Sequence, residues 1–264
     1  MTADTRDRLR QVLVLLLALA QPVTTFLAFA LGTSFEEATR SDAGAPLLEP
    51  AGYAFSVWTL IYGSCLGYGI YQALPSQRNN LLSRRTGFPA ASAFAGTCAW
   101  LLFARFNLTW GTVACILWML ASLAVAFRRV VALAPPRNAA ERWLVVMPIS
   151  VFTGWVSAAV FANTAAALKV SGWHDLALPE AAWAVVMLLA AGTAGAWLTV
   201  ASRGNAYYAL TVVWALVAIA VANLAGRSPA VAVAAAAMAS LVLAALVFSR
   251  RPPPEPASAF LSNS

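Results

Sequence analysis

The chain has 264 residues, 61% of them hydrophobic and 10% charged, with a formal net charge of +7. A water-soluble domain carries roughly 25% charged residues, so this composition excludes one. The positive charge does not point to nucleic acid, because the arginines stand in short stretches between apolar runs rather than along one face or helix.

Apolar runs recur from near the N-terminus to residue 249, each of about the 20 residues that cross a hydrocarbon core. Unpaired backbone groups are too costly in lipid for anything but helices here, since barrel strands would be half as long and would alternate polar with apolar residues. The predicted fold is therefore all-α, a polytopic integral membrane helical bundle. Its eight transmembrane helices are expected at about 11–32, 52–75, 88–104, 109–127, 143–168, 177–201, 206–226 and 230–249.

Before the first span, Arg6, Arg8 and Arg10 precede an apolar run ending Ala18-Leu19-Ala20, a pattern shared with secretory signal peptides. Hydrophobicity continues past Gln21 and Pro22 through Phe26, Leu27, Phe29 and Leu31, so a retained first helix is expected. The loop that follows, about 33–51, is the longest and most acidic between spans and ends in Glu49-Pro50. It reads either as a lid over a site or as a connector.

The second span opens Pro50-Ala51-Gly52-Tyr53-Ala54-Phe55-Ser56-Val57-Trp58-Thr59-Leu60-Ile61-Tyr62. Phe55, Trp58 and Tyr62 recur at three and four residues and share a helix face. Such a face suits a flat, mostly apolar ligand that needs a few hydrogen bonds, although helix packing would use the same residues. The third span is the shortest, and only Arg105, Phe106, Asn107 and Leu108 part it from the fourth, which predicts a tight helical hairpin. Cys65, Cys98 and Cys115 lie in apolar runs without C-x-x-C spacing and are read as packing residues. In the fifth span, Trp155 has Ala158, Ala159 and Ala162 on its own face, implying a close helix contact or a flat-walled cavity. Asn163 must find a hydrogen-bond partner inside the bundle.

The middle of every span is free of ionisable residues, which argues against transport coupled through a buried carboxylate. The lone His174, beside Trp173 and Asp175, cannot form a multi-histidine metal or haem site. Lys169, the one lysine, lies at a span end and not where a retinal Schiff base would be. No catalytic constellation is legible, no metal site is expected and no cofactor is required. Thirteen arginines fall on the side of the two termini, against four Arg and Lys on the other, so both termini are expected in the cytoplasm. The proline-rich tail, 251–264, is expected to be disordered.

Ten tryptophans exceed the usual share. By position Trp110, Trp143, Trp173 and Trp183 sit near span ends, as interfacial belt residues do, while Trp58, Trp100, Trp118, Trp155, Trp197 and Trp214 lie deeper.

Spans one to five, about residues 10–170, resemble the TspO/MBR family of tryptophan-rich sensory proteins, whose fold is a five-helix membrane bundle. The similarity is best at Pro50 with Trp58, Thr59 and Tyr62, and at Pro148 with Trp155 and Asn163. The phrase Pro-Ala-Gly-Tyr-Ala-Phe-Ser-Val-Trp with Ile-Tyr resembles longer bacterial members with extra C-terminal helices. Pro148 stands three residues further from Trp155 than in the family pattern, and Thr97 takes the place of an asparagine before Trp100. The resemblance implies residues 1–170 as a five-helix bundle, 171–250 as three further spans, and a cavity beneath the first loop. It further implies a sensor or carrier in the plasma membrane for a tetrapyrrole (porphyrin) or a sterol-like molecule, with Phe55, Trp58, Tyr62, Trp100, Trp155 and Asn163 as ligand-binding residues and Arg40 or Arg105 near any carboxylate edge. The alternative is a channel or facilitative permease for a small neutral or lipophilic solute. Expected partners are membrane lipid and the lipophilic ligand, with a homodimer left open.

Overall fold

The computed structural model describes residues 3–32, 45–133, 136–172, 178–224 and 226–250. The tail predicted to be disordered, most of the first loop (33–44, with Arg40), and Trp173, His174 and Asp175 lie outside the described residues.

Among the described residues the chain is helical throughout, with no strand. Eight long helices follow in order: α1 Ala3–Ala30, α2 Val57–Ala73, α3 Leu81–Arg105, α4 Thr109–Ala132, α5 Ala139–Val170, α6 Glu180–Ala201, α7 Ala206–Leu224 and α8 Pro229–Ser249. Seven are by themselves long and apolar enough to cross a membrane. The exception is α2, whose 17 residues make about 25 Å of helix. A five-residue 3-10 turn, Gly52–Ser56, runs straight into it and at about 2 Å per residue brings it to spanning length.

Local chemistry sets the helix ends. The Asn80 side chain accepts from Ser83 N at the start of α3, Asn138 does the same for Glu141 N in α5, and Ser228 caps α8 ahead of Pro229. These caps start α3 and α5 several residues before their apolar runs, so α3 has 25 residues rather than being the short span expected. The α3–α4 hairpin turns at Asn107 with φ 52°, a left-handed conformation that asparagine tolerates. Pro148 lies inside α5 and has no N–H for the helical ladder. The helix absorbs it with a π-turn at Arg142–Val146.

Five helices form a ring: α1 packs on α2 and α3, α3 on α4, α4 on α5, and α5 returns to α2. The remaining three make one block, in which α7 lies along α5 and α8 joins α6 to α7. Gly154 permits the α5–α7 contact, because a Cβ there would stand 2.7 Å from the Tyr208 carbonyl oxygen. Outward faces are apolar, as at Val12, Leu16, Leu19, Val23 and Phe26 of α1. Exposed apolar stripes at helical spacing are the surface that lipid solvates.

At the arginine-rich end a polar network ties the first three helices together. Arg10, 1% exposed, donates to Gln72 Oε1 at 3.2 Å and to the Arg78 carbonyl at 3.0 Å, with Asp7 3.6 Å away. Asp7 also pairs with Arg84, and Gln11 and Gln72 donate to each other's backbone carbonyls. Because most of these polar groups find partners in the bundle, α1 begins at Ala3 and not near residue 11.

Candidate functional site

Of the nine described tryptophans only Trp58, Trp100 and Trp155 are buried, and all three wall one cavity near the end of the bundle opposite the arginine-rich network. Trp118, Trp197 and Trp214 lie deep along their helices but face outward, Trp197 being 69% exposed. Their depth was readable from position, but their facing depends on which helices flank them. Trp214 instead holds the second span's entry, donating its indole N–H to the Ala54 carbonyl at 3.1 Å with its ring edge on Tyr53.

The cavity is assembled from five helices and the chain that precedes α2. The 3-10 turn and α2 present Phe55 and Trp58, α3 presents Trp100, and α4 presents Ile116 and Met119. From α5 come Trp155, Val156, Ala158, Ala159, Ala162 and Asn163, and from α7 Ala215 and Ile219. Pro46, Glu49 and Pro50 form its roof. Five of the six residues singled out from sequence thus meet in one place. Tyr62 stands behind them, its ring 5.3 Å from that of Trp58 and its hydroxyl bonded to Thr25 Oγ1 at 2.9 Å. Thr97 does not face the cavity either: its hydroxyl donates to the Ala93 carbonyl and to the sulfur of Met119.

The aromatic wall is built edge to face. Trp155 meets Phe55 at 6.1 Å and Trp58 at 6.2 Å between ring centroids, and Trp58 meets Phe152 at 6.0 Å, all with planes 72–81° apart. This geometry suits the ring quadrupoles and holds each indole at a fixed tilt. The three alanines of α5 leave the facing side flat. Polarity is confined to a few atoms. Asn163, 3% exposed, accepts from the Trp100 indole N–H at a long 3.5 Å, and its amide nitrogen has no hydrogen-bond partner.

The empty space is about 50 Å³, against roughly 300–1,000 Å³ for sites that enclose a drug-sized ligand. In this conformation the cavity is too small for a tetrapyrrole-sized plate, which enters only if the roof lifts and the indoles separate.

The roof is held by the end of α5 and from outside the five-helix ring. Asn223 of α7 donates to the Leu47 carbonyl at 2.8 Å, and the Ala51 N–H donates to the Ala218 carbonyl at 3.1 Å. Arg227 donates to the carbonyls of Ala45 and Pro46, and Lys169 to that of Ala45. Lys169 is paired with Glu180 at 3.1 Å, and the Glu180 carboxylate accepts the Leu47 N–H at 3.3 Å. Among the described residues the cations beside the roof are therefore Lys169 and Arg227, whereas Arg105, expected near a ligand's carboxylate edge, is exposed at the end of α3 and is not among the lining residues. Sequence reading also missed the α4 and α7 walls, since Ala215 and Ile219 sit in an alanine- and valine-rich helix with no distinguishing pattern.

The sequence pattern of the TSPO-like protein family matches residues 11–248. It runs through α8, so the three C-terminal helices belong to the matched pattern as much as the first five. No curated protein and no solved structure matches the chain.

Proposed function

The chain belongs to the TSPO-like protein family, and from that premise we propose that it is a membrane carrier or sensor for a flat lipophilic ligand of the tetrapyrrole or sterol-like class. The ligand lies between Phe55, Trp58, Trp100, Trp155 and the alanine face of α5, with Tyr62 bracing Trp58 from behind.

One observation carries this reading. The Asn163 amide nitrogen is buried at the wall of an aromatic cavity without an acceptor, and such a group costs about 1–3 kcal/mol unless something satisfies it. A ligand carbonyl, carboxylate or hydroxyl oxygen does so, and the indole faces take the apolar body. The small cavity corresponds to the unloaded state.

The arginine bias supports cytoplasmic termini in a plasma-membrane protein, with the roof then on the outer side. The protein then collects its ligand at the outer leaflet. The test is a Soret and tryptophan-fluorescence titration of purified protein with protoporphyrin IX, which should saturate. A flat titration contradicts the proposal.

A further inference from the structure

A second and larger cavity, about 250 Å³, lies beside the first. It is a half-open crevice between α5 and α6, lined by Leu47, Leu48, Ala165, Leu168, Trp183 and Met187, with Pro46 shared between the two cavities. Trp183, expected as a belt residue, is one of its walls. Along α5 the two cavities follow on successive turns: Ala158, Ala159 and Ala162 face the first, and Ala165, Leu168 and Lys169 face the second. The crevice is apolar except at the Lys169–Glu180 pair, and that pair also holds the roof through Leu47 N and the Ala45 carbonyl.

We propose that this crevice is an entrance site, where a carboxylate-bearing lipophile binds from the bilayer before passing under Leu47 and Leu48 into the aromatic cavity. The inference rests on the ligand-binding reading above. Continuity fixes the direction of travel: a small cavity adjoins a larger one along α5, and the residue they share, Pro46, belongs to the roof segment rather than to a helix. Charge fixes the class. Lys169 is the cation lining the crevice, and an entering carboxylate exchanges with Glu180 for it. That exchange removes the acceptor of Leu47 N, so arrival of the ligand loosens the roof segment it must pass. The three C-terminal helices thereby acquire a role, because α6 forms one side of the entrance and α7 anchors the roof.

An entrance changes rates more than equilibria, since a ligand leaves by the path it entered. The experiment follows the Soret band by stopped flow, with the full chain in lipid nanodiscs and protoporphyrin IX or its dimethyl ester as probe. Two variants, Ala165→Phe and Met187→Trp, fill the crevice from opposite sides, so one serves if the other folds poorly. Both should slow association and dissociation at least tenfold while Kd stays within threefold. Lys169→Met should slow association of the diacid severalfold and leave that of the ester unchanged, whereas Glu180→Gln should speed exchange. Parental rates in both filled variants, or equal responses of diacid and ester to Lys169→Met, overturn the entrance while leaving the ligand reading intact. A rise in Kd with unchanged association does the same, by making the crevice an equilibrium site. No binding to the parent protein overturns both.

Discussion

The Trp100 indole N–H reaches across from α3 to Asn163 Oδ1 on α5 at 3.5 Å, and this long bond leaves the other end of the amide, Nδ2, buried without an acceptor. Most buried polar groups that build a bundle are satisfied within it. Asn163→Leu keeps the volume and removes the orphan. The variant exchanges the orphan amide for a Trp100 N–H without its acceptor, so it is expected to unfold at about the same temperature as the parent and to bind protoporphyrin IX about tenfold more weakly. Thermal unfolding in detergent and an equilibrium titration together check this. Lower stability with unchanged affinity would assign Asn163 to packing.

Gly154 and Tyr208 set the spacing between the five-helix ring and the C-terminal block. Gly154→Ala puts a Cβ 2.7 Å from the Tyr208 carbonyl oxygen. Backbone atoms cannot swing aside as side chains do, so α7 must shift, at a cost of about 1–3 kcal/mol. That shift also moves Ala215, Ile219 and the Trp214–Ala54 bond, so ligand affinity should fall with stability. Gly63→Ala on α2 is the control: its Cβ meets nothing within 4 Å, and the gain in helix propensity makes it neutral or stabilising. Equal melting temperatures for the two variants would contradict the tight α5–α7 contact.

Most of the architecture was legible because the membrane leaves few options. Apolar length gave the eight helices, and the alternation of arginine-rich and arginine-poor loops gave their number a check. Boundaries failed where polar residues are satisfied by distant partners: Asp7 and Arg10 look like a solvated leader but are buried against Gln72, Arg78 and Arg84. In the site, the spacing of Phe55 and Trp58 and the small face behind Trp155 were visible because aromatic and alanine positions carry their own periodicity. The roof was not. Its anchors, Lys169 to Ala45 and Asn223 to Leu47, join residues more than a hundred positions apart, and no local pattern announces such a bond.

The buried network at the arginine-rich end makes α1 a full member of the bundle, and it has a measurable consequence. Asp7→Asn removes the carboxylate facing Arg10 and Arg84 and leaves a buried guanidinium under-compensated. Breaking a buried pair in this way costs about 3–5 kcal/mol, so the variant should lose thermal stability and expose α1 to protease. Asp4→Asn, whose carboxylate pairs with Arg8 and Arg78 on an exposed surface, should change stability by less than about 1 kcal/mol. If the two variants melt alike, the network is not what holds α1.

Topology can be read independently of any ligand. Eight helices return the chain to the side it started from, and thirteen of seventeen basic residues mark that side. Alkaline phosphatase fused after Arg251 should be inactive and a cytoplasmic fluorescent reporter at the same position active. An active phosphatase there would contradict a cytoplasmic C-terminus.

The proposed function makes Trp58, Trp155 and Asn163 the wall of a ligand cavity and not packing residues alone. It is tested most directly by equilibrium titration of protoporphyrin IX into the parent, Trp58→Phe, Trp155→Phe and the outward-facing control Trp197→Phe. Phenylalanine keeps most of the apolar volume while removing the indole N–H and part of the stacking surface. Affinity should fall by about 1–3 kcal/mol in the first two variants with little change in melting temperature, and Trp197→Phe should match the parent in both measurements. Parental affinity in Trp58→Phe and Trp155→Phe, with lowered melting temperatures, would show that the aromatic wall packs helices and binds nothing.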